Sequence, residues 1–295
     1  MRSIFIILSI SIIVLLSSCE REIDYLYKVD NDKLVITGSI SPQEGVKIKV
    51  THSIQPTGTY FYKDSIFIAN AEVFLIINDS NSIKLRYTVG GFYMLDTSVY
   101  FPKPGIRYKI KVESVNYGIA ESTDVSIPQK PNFAYIGYIA EKVNINGDSA
   151  VHAFYTLYDN YGEENYYYYS FTSLNPAISM WGVLLQSDYE TQICGNVDYW
   201  KHSFFTDLCL DKPVDTLKFE VVTDYQDDNI DTFNIRFSST NESLYAYCKN
   251  NMQPEGAIEL AFSEPRIHST NIKNGYGIFY GENIQNIIFK LPNKR

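Results

Sequence analysis

From Leu34 onward the chain alternates apolar and polar residues with a period of two over many short stretches, the pattern of half-buried strands. KLVITGSI turns Leu34, Ile36 and Ile40 to one side. GVKIKVTH sets Val46, Ile48 and Val50 against Lys47, Lys49 and Thr51, and AEVFLIIND is apolar enough for a central strand. Gly90-Gly91, inside IKLRYTVGGFYML, reads as a hairpin turn. GIRYKIKVESVNYGIAESTDVSIP opposes Ile106, Tyr108, Ile110 and Val112 to Arg107, Lys109, Lys111 and Glu113, turns near Asn116-Tyr117-Gly118 and returns. About seven strands in roughly one hundred residues, with no helical period, predict an immunoglobulin-like β-sandwich. We assign it to residues 34–128.

PQKPN, Pro128 to Asn132, cannot continue a ladder because proline lacks the donor, so it marks a domain boundary. Beyond it, over residues 133–295, aromatic residues accumulate: Tyr135, Tyr138, the run Tyr166 to Tyr169, Trp181 and Trp200. Strand patterns continue in AVHAFYTLY, TLKFEVVT, TFNIRFS, AIELAFS and NIIFKLP, with Asn146-Gly147 and Asn274-Gly275 as turns. One helix interrupts them. Ser239-x-x-Glu242 reads as a capping box opening it, and it should run to about Cys248 with Leu244, Tyr247 and Cys248 on the packed face. The expected architecture is therefore mainly β: the first sandwich, then a second β-sandwich or open barrel with a packed helix.

The N-terminal end follows a different rule. After Met1-Arg2 comes an apolar segment, Ile4 to Leu16, broken only by Ser9 and Ser11. It is shorter than the ~20 residues a membrane-spanning helix needs, and fits the h-region of a signal peptide over residues 1–18. Leu16-Ser17-Ser18-Cys19 fits a bacterial lipobox, in which the Cys19 thiol receives diacylglycerol; the alternative is an ordinary cleaved secretory signal. Residues 19–33 then form a lipidated tether, and acyl chains contributing about 0.8 kcal/mol per buried methylene would hold the chain to a bilayer.

Cleavage before Cys19 removes one arginine from the 25 basic residues and none of the 34 acidic ones, making the remainder one unit more negative than the formal −9 of the whole sequence. An acidic chain without a Lys/Arg cluster argues against nucleic acid as a partner. In an oxidising compartment Cys194 and Cys209 are expected to pair, closing a ~15-residue loop for about 3 kcal/mol, while Cys248 stays a buried thiol.

Catalytic chemistry finds no motif. His52, His152, His202 and His268 form no His-Glu-x-x-His, and there is no Gly-x-Ser-x-Gly elbow or Walker loop. Asp224, Asp227, Asp228 and Asp231 offer oxygen ligands of the kind calcium takes, yet read more simply as an acidic hairpin tip. No metal or cofactor is expected. Tyr166 and Tyr168 share one strand face and Tyr167 and Tyr169 the other, so at least one pair belongs to the core, and any exposed remainder could stack on sugar rings or a partner.

CEREID after the lipobox, KLVITGSIS, the block GFYMLDTSVYFPKPGIRYKIKVES with STDVSIPQKP, and ELAFSEPRIHSTNIKNGYGIFYG together resemble a lipoprotein family of Bacteroidetes, domain of unknown function 4249. The last block is the most specific: Glu264-Pro265, then Asn271, then Asn274-Gly275-x-Gly277-x-Phe279. The resemblance implies an outer-membrane lipoprotein, facing outward in view of Glu20, Glu22 and Asp24 with the periplasmic face as the alternative, that serves a neighbouring TonB-dependent receptor as an accessory or binding subunit. A surface carbohydrate-binding or adhesion module is the alternative. It also implies O-glycosylation at Ser65, Ser149 and Thr216, each after an aspartate. Glu264, Asn271 and Asn274 are candidates for partner contact, against the plainer reading that the motif shapes turns and that Phe279 is core.

Overall fold

The computed structural model describes residues 32–53, 66–142, 149–158, 163–174, 180–186, 197–199, 202–207, 214–223, 231–251 and 269–291. The alternating stretches of the first half become β1 (Leu34–Ser41), β2 (Gly45–His52), β3 (Glu72–Ile77), β4 (Asn81–Lys84), β5 (Arg86–Tyr87), β6 (Phe92–Leu95), β7 (Arg107–Ser114), β8 (Gly118–Ser122) and β9 (Val125–Ser126). Their inward positions agree with the pattern. Leu34, Ile36, Ile40, Val46, Ile48 and Val50 meet Val73, Leu75, Tyr108, Ile110, Val112 and Ala120 in one core, all fully buried. Burying aliphatic side chains of this size stabilises by ~1.5–3 kcal/mol each, which is why the register holds: a one-residue slip would turn the whole set to solvent. The two expected hairpins are present, with Gly90, Gly91 and Gly118 at positive φ.

The second half supplies β10 (Asn132–Lys142), β11 (Ser149–Tyr158), β12 (Tyr166–Ser173), β13 (Met180–Gln186), β14 (Val197–Tyr199), β15 (His202–Thr206), β16 (Val214–Thr223), β17 (Asp231–Thr240), α1 (Glu242–Asn251), β18 (Ile272–Lys273) and β19 (Gly275–Leu291). Among the described residues these strands form three sheets. One runs β14-β15-β12-β17-β19-β1-β2-β6-β5, the second β10-β11-β16-β13, and the third β18-β8-β7-β3-β4 with β9 on β7. The chain is mainly β and built as packed sheets, as expected; no helix among the described residues is long and apolar enough to cross a membrane.

Two expectations are corrected. The first concerns the boundary at Pro128–Asn132, for residues Asp32–Arg295 make one compact unit. The reason is β19. Its first half pairs in parallel with β1, from Leu34↔Gly275 to Ile40↔Gly281, and its second half pairs antiparallel with β17, from Thr240↔Glu282 to Asp231↔Leu291. Phe279 and Ile272 thereby complete the core of the N-terminal sandwich. The proline segment does end a ladder, but it lies along β19: Asn283 Nδ2 donates to Pro128 O at 3.0 Å and Gln285 Nε2 to Phe133 O at 2.7 Å. Side chains of β19 thus donate to backbone carbonyls on both sides of the proline segment.

The second correction is the helix start. Ser239 is buried within β17, and the residue that caps α1 is Asn241, whose Oδ1 accepts from Leu244 N at 3.4 Å. Strand pairing with β12 and β19 holds the chain extended through Thr240, so the cap falls two residues later, on another good capping residue. Leu244 and Cys248 pack on the sheet as expected, joined by Tyr245, with Tyr247 at the margin.

Candidate functional site

The C-terminal motif is built from short-range hydrogen bonds. Asn271 presents its whole amide to the backbone of Phe279: Nδ2 donates to Phe279 O at 2.7 Å and Oδ1 accepts from Phe279 N at 3.0 Å. Thr270 Oγ1 donates to Gly277 O at 2.8 Å. The pair mimics one more strand beside β19, which matters because Phe279 is fully buried and its peptide groups need partners. Asn274 sits at φ 59 in the turn into β19, exposed, in a conformation asparagine tolerates. Of the three residues read as partner contacts, Asn271 is therefore committed to the fold, Asn274 is on the surface, and Glu264 lies outside the described residues.

Under α1 lies a polar cluster that the sequence reading missed. On one face of the large sheet Arg236 donates to Glu44 and, through Nη2, to Glu282 Oε1 at 2.8 Å. Glu282 is only 1% exposed. Burial pushes its carboxyl pKa up, and Arg236 pulls back without restoring the ordinary value. Tyr168, on the same face, is pushed up to about 12 by burial, and the buried Cys248 thiol to about 12 for the same reason. A signal for half of this cluster was available: Glu282 shares its strand face with Ile278 and Ile284, whereas Arg236 alternates with the buried Ile235 and Phe237 and reads as outward-facing.

The raised Glu282 pKa has a testable sign. The folded state holds this proton more tightly than the unfolded state, so this group favours folding at acid pH. Its contribution declines as pH rises from the ordinary glutamate value to the raised one. Glu282→Gln is expected to flatten the stability-against-pH curve across that window, read as the difference between variant and native denaturation midpoints. An unchanged difference across the window refutes the assignment.

The comparisons with known proteins bear on this geometry. A family model described as Domain of unknown function (DUF4249) matches residues 20–287. The chain belongs to the DUF4249 family. The match spans both the N-terminal sandwich and the motif around Asn271. No curated protein matches the chain. Among solved structures, "Biofilm associated protein - BSP domain" is similar at 8% identity and a TM-score of 0.23, covering 92% of this chain. The chain spans 62% of the length of that structure.

The tyrosine run of this DUF4249 chain is absorbed by packing. Tyr167 and Tyr169 are buried on one face, where Tyr167 and Phe133 both stack on Phe237 and Phe205 lies tilted against Tyr167. Tyr166 and Tyr168 lie on the other face against the core of α1. Exposed apolar side chains occur elsewhere. At the end of the sandwich where the chain enters β1, Val115 is 94% exposed, Ile119 52% and Tyr276 41%. There His52 stacks on Tyr117 with centroids 5.1 Å apart, and Lys33 Nζ lies 5.3 Å from the Tyr276 ring centroid.

Other sequence candidates are placed as follows. Ser149 opens β11 opposite Lys142 and Thr223, and Thr216 stands in β16 opposite Thr156. Cys19, Leu16, Ser17, Ser18, Cys194, Cys209 and Ser65 lie outside the described residues, as do Asp224, Asp227 and Asp228. Asp231 begins β17. Among the described residues no group of three or more His, Cys, Asp or Glu could hold a metal ion.

Proposed function

We propose that this DUF4249 chain is an acyl-anchored outer-membrane lipoprotein, outward-facing, that serves as a non-catalytic accessory or binding subunit of a TonB-dependent uptake system. The observation that carries the reading is Leu16-Ser17-Ser18-Cys19, a lipobox set ahead of a β unit that begins at Asp32. Sandwich folds of this kind can present loops and sheet faces as binding surfaces; the fold alone names no function and no ligand. The receptor partner is what the resemblance described above implies, by the association of genes of this kind with those of such receptors.

Extraction of the native chain in mild detergent, with prior cross-linking, tests the pairing. The expected result is recovery of a TonB-dependent receptor in stoichiometric amount. Glycan binding by the detached chain, without any receptor, moves the function to a carbohydrate-binding or adhesion module. Asn274→Gly, which keeps the turn conformation and removes the exposed amide, reports on the motif: unchanged recovery takes Asn274 out of the interface.

A further inference from the structure

The end of the sandwich that receives the chain differs from the rest of its surface. Leu34 pairs with His52 in the β1–β2 ladder, and just outside it Lys33 and Ser53 are tied twice: Ser53 N donates to Lys33 O at 2.8 Å and Lys33 N to Ser53 Oγ at 2.9 Å. The chain therefore leaves the fold toward Cys19 at a fixed place. Beside that place stand the β7–β8 hairpin, with Val115 and Ile119 exposed and Tyr117 stacked on His52, and the start of β19, with Tyr276 under Lys33.

We propose that this end, with Val115 at its tip, lies on the lipid surface to which Cys19 is attached; the inference rests on acylation of Cys19. Val115 is an aliphatic residue at a turn position, where polar residues are the rule, and at 94% exposure it makes no use of the fold. Tyr276 has an apolar ring and a polar tip, the form favoured at a membrane interface. Lys33 and Lys273 carry long aliphatic stems that can lie along apolar surface with the charge in the headgroup layer.

The tether agrees. Whatever its conformation, the stretch from Cys19 to Asp32 can reach no farther than ~3.3–3.6 Å per residue, about 45 Å, so the entry end is confined within that distance of the bilayer and its effective concentration there is raised. A contact too weak to hold a free protein is then populated. The opposite end offers an internal control. Val99 and Phe101 are also exposed there, at 69% and 55%, in the loop that follows β6; at the same end Asp79 and Asp124 pair with Arg107 and Lys109.

The test uses the mature acylated chain in vesicles of phosphatidylethanolamine and phosphatidylglycerol carrying nitroxide-labelled acyl chains. Tryptophan replaces Val115, Ile119 or Val99 in turn, and the emission of Trp181 and Trp200 is subtracted using the native chain. The expected result is roughly two-fold quenching of the Val115→Trp and Ile119→Trp emission, as for side chains ~5–10 Å deep at the headgroup boundary, with Val99→Trp unchanged. Val115→Asp, on a position exposed enough to leave folding intact, should abolish the quenching of Ile119→Trp.

Flotation of the same samples separates the two claims. A chain that floats while Val115→Trp and Val99→Trp respond alike overturns the proposal and leaves the anchor standing. A chain that does not float overturns both. Quenching absent from vesicles, together with a shift of Val115→Trp emission only when a co-purified receptor is added, overturns the proposal in favour of a protein partner.

Discussion

Cys19→Ser is expected to move the protein from the membrane pellet to the soluble fraction. Serine keeps the size of the side chain but offers no sulfur for the thioether, so neither diacylglycerol nor the later amide-linked acyl group is added. A single myristoyl chain binds a bilayer with K of only ~10⁴ M⁻¹, whereas two or more chains hold a protein stably; the full complement should keep nearly all of the native chain membrane-bound. Made behind a signal that is cleaved without acylation, so that Ile4 to Leu16 is gone, the variant has only the exposed contacts of the folded unit to rely on, and fewer than about one molecule in ten should sediment with membranes at physiological salt. Labelled palmitate should enter the native chain and not the variant. If the serine form, freed of residues 1–18, still sediments as the native form does, another surface holds the protein and the acyl anchor proposed here fails.

Gly277→Ala is expected to be the most damaging single substitution within the described fold. Gly277 sits at φ 105, and a Cβ there would lie 2.0 Å from Ile36 O and 2.8 Å from Ile36 C. The obstacle is backbone, not the free end of a side chain. Ile36 pairs directly with Gly277 in the parallel β1–β19 ladder and is itself fully buried in the sandwich core, so it cannot retreat without dragging β1 through that core. Substitutions that force such a shift fall in the class costing more than ~4 kcal/mol. That equals a fall in Tm on the order of 10 °C, or failure to accumulate.

Gly105→Ala separates the clash from the conformational cost. Gly105 is also at positive φ, 76, but a Cβ there meets nothing within 4 Å. It should lose only ~1–2 kcal/mol, the penalty of the left-handed region. Melting of the two variants within a degree of each other would show that β1 and β19 are not packed as described.

The Asn271 amide shows why a motif can be legible while its role is not. Its spacing from Gly277 and Phe279 is plain in the sequence, and both a structural and a contact role fit that spacing. Only the fold brings Phe279 N and O within reach of the amide and decides for the first. Ser239 shows the reverse case. Its capping box is a good local signal, yet pairing with β12 and β19 overrides it and moves the cap to Asn241. Local propensity amounts to about 1 kcal/mol at a cap, and two flanking strands outweigh it.

What the amino-acid order determined by itself was the face of nearly every strand. Leu34, Ile36, Val46, Ile48, Tyr108, Ile110 and Val112 are buried where a period of two requires, because each strand must turn one side from water. What only the tertiary structure decided was partnership. The period of two says which way Gly277 and Glu282 point but not that β19 lies between β1 and β17, nor that Arg236 reaches both Glu44 and Glu282. Loop closure explains the gap: its cost grows only with the logarithm of the loop length, so strands at opposite ends of the chain can pair at little more expense than neighbours, and no local pattern records which ones do.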